Sequence, residues 1–203
     1  SAPRFRAHYR TGSDVVRSVY VQANWPPERA QDEAEWVQSE ADRTGWPHGI
    51  VAYADLTAGD VRPELARLAR VPLVRGIRMQ LHWHDNPQYR FARHADVADD
   101  PVFRRNFAAL ADHGLSFDLQ VFAPQMAGAA RLAADHPETT FILQHAGMLE
   151  DLSDRGRADW RAAMRDLAAQ PNVVAKLSGL GTFIHRNDPG HIAGIVRETA
   201  ALF

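Results

Sequence analysis

Two hundred and three residues suffice for one substantial core, read here as a single unit over 1–203. With 23 basic against 25 acidic residues and a formal net charge of -2, nothing favours nucleic acid or an anionic membrane as partner. The absence of cysteine excludes disulfides, thiolate nucleophiles and cysteine-bound zinc, and no run approaches the roughly 18 apolar residues of a spanning helix.

The opening "SAPRFRAHYR" is basic, lacks an apolar centre and does not read as a signal peptide. The first β-rich run is "SVYVQA", Ser18 to Ala23. A helical pattern follows in which Pro27 suits the first turn, Trp36, Val37 and Ala41 form part of an apolar stripe, and Gly45 is the stop. "GIVAYADL", Gly49 to Leu56, is the second run, and its helix spans about Asp60 to Ala69. The third, "LVRGIRMQL", Leu73 to Leu81, leads into a long loop and a helix near Val102 to Ala111. "LSFDLQVF", Leu115 to Phe122, precedes a helix near Gln125 to Ala134. "TTFILQHAGML" precedes a charged loop and a helix near Trp160 to Ala169. "NVVAKLSGL", Asn172 to Leu180, precedes a terminal helix over Ile192 to Leu202.

Six βα units with nearly continuous apolar strands predict a parallel sheet covered by helices. No G-x-G-x-x-G turn and no Walker A loop follows a strand, which moves weight from an open doubly wound sheet to a (β/α) barrel. In a barrel the chemistry lies at the C-terminal strand ends. Those ends carry Gln22 and Asn24, Tyr53 and Asp55, Arg75 and Arg78, Gln80 and His82, Asp118 and Gln120, Gln144 and His145, Lys176 and Ser178.

His145 is the first candidate. A neutral imidazole there ligates a metal or takes a proton from water; the plain alternative is a hydrogen bond to a neighbouring loop. Gly147 is expected to let the backbone approach a ligand closely. Arg78 suits a substrate carboxylate, or an internal ion pair with Asp55 or Asp118. Arg75, lower on its strand, is expected to pair structurally. Asp118 and Gln120 share one strand face, as do Lys176 and Ser178, and Lys176 is set to meet either substrate or a neighbouring carboxylate. His82 and His84 in "LHWHDN" give too few ligands for zinc and read mainly as loop packing around Trp83. Trp25, Trp83 and Phe122 are candidate apolar walls of a cleft. Ser178 has no G-x-S-x-G elbow.

The ordered stretches "SVYVQAN", "GIVAYADL", "VRGIRMQL", "FDLQVF", "FILQHAGML" and "PNVVAKLSGL" cover nearly the whole chain. In that order they resemble the amidohydrolase superfamily, in the amidohydrolase-related branch that includes sugar-lactone and dicarboxylate-lactone hydrolases. The resemblance implies a distorted (β/α)8 TIM barrel that hydrolyses a cyclic ester at its C-terminal mouth; the absence of cysteine fits a cytoplasmic enzyme. The same resemblance implies a catalytic or metal-facing role for His145 and a substrate contact for Arg78, while the strand-end reading adds Gln120, Lys176, Asp118, Asn24 and Trp25 as substrate-binding candidates. Gln120 stands where many relatives carry a metal-binding histidine. The cofactor expectation is therefore divided between one divalent metal, zinc or manganese, held in part by His145, and metal-independent catalysis. The family's first-strand H-x-H pair and eighth-strand aspartate have no counterpart in this sequence; "RAHYR" with His8 does not read as that strand. The expectation is six of eight barrel units. A small-molecule substrate is the expected partner, and association with further copies stays open. The competing readings are metal-dependent decarboxylation of a small acid and a non-catalytic small-acid binding module.

Overall fold

The computed structural model describes residues 15–203. The "RAHYR" segment and His8 lie outside the described residues.

Six short strands form one sheet: β1 (Val19–Val21), β2 (Gly49–Ala52), β3 (Val74–Ile77), β4 (Ser116–Leu119), β5 (Phe141–Leu143) and β6 (Val173–Ala175). Every neighbouring pair is parallel and the order is β1-β2-β3-β4-β5-β6. A strictly sequential order has no point at which the winding reverses. It is therefore the arc of a barrel and not a doubly wound sheet. The intervening helices are α1 (Ala30–Thr44), α2 (Arg62–Leu68), α3 (Pro101–Ala108), α4 (Met126–Asp135), α5 (Asp154–Ala168) and α6 (Pro189–Leu202).

Local chemistry explains the helix ends. Pro27 opens a 3-10 turn leading into α1, and Gly45, at φ 74, closes it, as the sequence predicts. Asp100 accepts from Val102 N and Phe103 N at the start of α3, and Asp188 accepts from His191 N at the start of α6. α5 begins six residues before Trp160, because Ser153 Oγ accepts from Gly156 N and caps a turn that is charged on its solvent side.

The core lies between strands and helices. Phe107 of α3 stacks on Phe141 of β5 at 5.1 Å and meets Phe117 of β4 edge-on at 5.1 Å. Phe103 is fully buried against Phe107 and Phe117, and Trp160 is fully buried under the turn at Ala146.

The strands are shorter than the apolar runs suggest. Beyond Ile77 the chain leaves the ladder, and the Gln125 side chain takes over its backbone groups. Gln125 Nε2 donates to Leu81 O (2.8 Å) and Ala95 O (3.0 Å), and its Oε1 accepts from Trp83 N (2.9 Å). One amide thereby anchors the long loop between β3 and α3.

Candidate active site

The residue directly after each strand is polar in all six units: Gln22, Tyr53, Arg78, Gln120, Gln144 and Lys176. These side chains form the mouth of the arc, and the residues that follow complete it.

The best ordered part spans β4 to β6. Lys176 Nζ lies 2.6 Å from Asp118 Oδ2 and 3.4 Å from Gln144 Oε1. Asp118 is fully buried, so its charged form is retained against desolvation only through such partners. Burial raises the Asp118 carboxyl, and the Lys176 bond opposes that rise. Of the two readings open for Lys176, the structure forms the one with a neighbouring carboxylate.

His145 sits in an unusual turn. His145, Ala146, Gly147 and Met148 have φ of 54, 48, 71 and 50, so four consecutive residues are left-handed. Three of them carry a Cβ and are strained by roughly 1 kcal/mol or more each. The turn persists because its surroundings fix it. Ala146 N donates to Lys176 O (2.9 Å), Met148 N to His145 O (3.0 Å), and the buried Trp160 Nε1 to Ala146 O (3.0 Å). A Cβ on Gly147 would lie 2.4 Å from Met126 Cε and 2.8 Å from Met164 Sδ. Gly147 thus allows close approach to the helices and not, as the sequence reading expected, to a ligand.

The result is a half-buried imidazole whose Nδ1 lies 3.0 Å from Ser178 Oγ. Gly179 permits this contact. It has φ 59, and a Cβ there would lie 2.7 Å from His145 Nδ1. Burial, and after it the positive charge of Arg78, push the His145 imidazole below its ordinary value. His145 is therefore neutral over most of the physiological range.

Arg78 Nη2 donates to Gln22 O at 2.7 Å, a contact between strand ends 56 residues apart. Neither ion pair considered for it, with Asp55 or Asp118, forms among the described residues. Arg75 likewise donates to backbone, at Pro72 O and Val74 O.

A belt of buried polar atoms without hydrogen-bond partners runs across the mouth: Gln22 Nε2, Arg78 Nε, His82 Nδ1, Asp118 Oδ1 and Gln120 Oε1. Such atoms are costly unless water or a ligand meets them. His82 also stands at this mouth. It is buried and packs against Phe91 (5.0 Å) and Phe122 (5.8 Å), not against Trp83. Burial first, then Arg78 and His145, lower its imidazole to about 4. The signal available was the alternation Arg78, Gln80, His82, which continues the β3 face past the end of its ladder. His84 is a loop residue, as expected, with Nδ1 accepting from Asn86 N and Nε2 3.6 Å from Glu150.

The structure separates the remaining candidates. Asp118 and Gln120 are buried at the floor of the mouth. Asn24 and Trp25 line a different cleft, with Tyr53 and Phe91 and without His145. Phe122 is fully buried and cannot wall an open cleft, because it packs on His82, His84 and Phe183.

Among the described residues no three of His, Cys, Asp or Glu converge to hold an ion. Asp118 Oδ2 is taken by Lys176 and His145 Nδ1 by Ser178. This set does not fit zinc or manganese, which need three or more protein donors or bound waters held by them.

The amidohydrolase family model matches residues 8–203. The chain belongs to the amidohydrolase family. It is 38% identical over 168 residues to uncharacterized protein y4mH of Sinorhizobium fredii, covering 83% of this chain and 56% of that protein. It is 34% identical over 170 residues to L-fucono-1,5-lactonase of Burkholderia ambifaria, covering 84% of this chain and 54% of the relative. A crystal structure of an amidohydrolase from Burkholderia multivorans with bound HEPES superposes with a TM-score of 0.76 at 29% identity, over 100% of this chain and 68% of the other. The amidohydrolase chain thus carries six βα units of a (β/α)8 barrel and spans about half the length of the curated relatives it matches. No helix among the described residues is long and apolar enough to cross a membrane.

Proposed function

We propose that the protein hydrolyses a lactone of a sugar acid or small carboxylic acid, with His145 as the group that moves the proton. The observation that carries this reading is the His145 imidazole itself, neutral, half-buried and held through Nδ1 by Ser178 in a strained turn at the end of β5. The likeness to proteins named L-fucono-1,5-lactonase supports a sugar-acid lactone.

With the Nδ1 proton donated to Ser178 Oγ, Nε2 keeps its lone pair. A water proton passes to Nε2 as the water oxygen bonds to the lactone carbonyl carbon. The ring C–O bond then breaks, and the departing alkoxide takes the proton back from Nε2. The products are a hydroxyl and a carboxylic acid on one open chain, and the acid loses the second proton of the water to solvent to become the carboxylate. Arg78 and Lys176 place positive charge at the same mouth, which favours the oxyanion as it develops. Asp118 and Gln144 hold Lys176 in place. Ser178 and Gly179 orient the imidazole and do not react.

Acid release from sugar-acid 1,4- and 1,5-lactones by the full-length protein tests the assignment. His145→Asn is expected to lower kcat by about 10²-fold or more, the usual worth of a positioned base. Unchanged turnover would remove His145 from the chemistry. Carbon dioxide release in place of ring opening would identify a decarboxylase. As a base whose value lies below 6.5, His145 predicts kcat/KM that rises with pH on the acid side and is level above neutrality.

A further inference from the structure

The loop after β6, residues 179–188, meets the loop after β3, although β4 and β5 lie between those strands in the sheet. It therefore passes over the ends of β4 and β5, where His145 sits. Phe183 lies edge-on to Phe122 at 5.3 Å and to Tyr89 at 5.7 Å. The His185 ring stacks on Tyr89 at 5.9 Å. The Tyr89 hydroxyl and His185 Nε2 share a hydrogen bond between residues 96 apart in sequence. Phe183 and His145 line one recess of only about 10 Å³, room for a single water at most.

The two sides of this contact are held differently. Tyr89 is fixed. Asn86 caps its 3-10 turn by accepting from Gln88 N (3.1 Å), and Arg90 clamps the loop by donating to His84 O (3.0 Å) and Asp85 O (2.9 Å). The opposite side is bound mainly to itself. Thr182 N donates to Gly179 O (3.0 Å), His185 N to Thr182 O (3.3 Å) and Arg186 N to Gly181 O (3.3 Å). No backbone–backbone hydrogen bond joins residues 181–187 to any described segment outside 179–188. Its two ends are anchored, by Leu180 against the core and by Asp188 at the start of α6. His185 is exposed and holds φ 52, an unfavourable backbone for a residue with a Cβ.

A self-contained segment between two anchors, tied to a fixed tyrosine through one exposed and strained residue, has the construction of a latch. We propose that residues 181–187 form a lid over His145, with Phe183 as its inner face, held shut by the bond between Tyr89 and His185. A molecule reaching the imidazole from this side must part Phe183 from Phe122. The proposal rests on the lactone reading only for what passes beneath the lid.

The test reads access to His145 without turnover. Diethyl pyrocarbonate acylates neutral imidazoles, and peptide mass spectrometry of the full-length protein under single-hit conditions gives the rate at each histidine. His113, exposed on the turn before β4, is the internal control. Tyr89→Phe and His185→Asn each remove the latch, and asparagine tolerates the left-handed backbone. Each is expected to raise His145 labelling relative to His113 by about three- to tenfold, the opening that one lost hydrogen bond allows. The double variant should label no faster than the faster single variant, because both remove the same bond. Phe183→Ala should raise labelling by about tenfold or more, through loss of a packed aromatic ring. Thermal melting confirms that each variant is folded. Labelling at the parental rate in either latch variant, or multiplied effects in the double variant, overturns the proposal. Parental labelling in a protein that still hydrolyses lactones removes the lid alone, whereas accelerated labelling in a protein without lactone turnover removes the lactone reading and leaves the lid.

Discussion

The two sides of the mouth differ in how many of their side chains are tied to one another. On the β4–β6 side they are tied to one another: Lys176 to Asp118 and Gln144, and His145 to Ser178. On the β1–β3 side Asn24, Tyr53 and Gln80 surround an open cleft with side-chain groups still free to bind. The difference separates two jobs. A group proposed to move a proton must be held in one geometry before substrate arrives, whereas an open cleft keeps its hydrogen-bonding capacity unspent.

Substitutions break this contrast to different degrees. The largest effect on stability is expected from Lys176→Met, which leaves the buried Asp118 carboxylate without its counter-charge. A loss of about 3–5 kcal/mol is expected in chemical denaturation, and Asp118→Leu added to it should recover much of that loss. An unchanged midpoint would mean that the tied half is held by packing alone.

The next effect depends on pH. His82 has a folded value of about 4 against an ordinary 6.5, so between those values the unfolded chain binds more protons than the folded one. Its contribution is complete above pH 6.5 and is lost as pH falls towards 4, amounting to at most about 3 kcal/mol. His82→Asn should flatten the stability profile in that window. A profile as steep as the parent's would assign the acid sensitivity to other groups.

Gly179→Ala comes third. The added methyl meets the His145 ring and a left-handed backbone, costing roughly 1–2 kcal/mol. Lactone turnover should fall while the melting temperature changes by only a few degrees. Loss of stability without loss of turnover would show that the ring gives way easily. The smallest stability effect belongs to the open half: Trp25→Ala should shift unfolding by about 0.5 kcal/mol or less, since no buried core rests on that ring.

Much of this arrangement was legible in the sequence. The βα rhythm gave all six units, and the missing phosphate turn pointed to the sequential barrel order. Pro27 and Gly45 marked α1 correctly because their chemistry is local. Strand ends were overextended because apolar character continues past the ladder, where a distant side chain, Gln125, takes the backbone hydrogen bonds. The site was legible as a set of polar strand ends but not as a partition. Whether Asn24 stands with His145 or with Tyr53 depends on loop packing between residues far apart in sequence. The role of Gly179 was hidden for the same reason, since it is defined by the ring of a residue one unit earlier.

The sequential strand order also governs how the molecule is made. As the chain leaves the ribosome, each strand emerges beside a partner that has already been synthesised, so the sheet can grow by local addition. The bonds of the mouth follow another schedule. Arg78 reaches back to Gln22, and Lys176 reaches back to Asp118 across β5. His145 waits for Ser178, which arrives 33 residues later. The contacts that fix the His145 ring are thus completed last, once β6 has brought Lys176 O to Ala146 N and Ser178 Oγ to the imidazole.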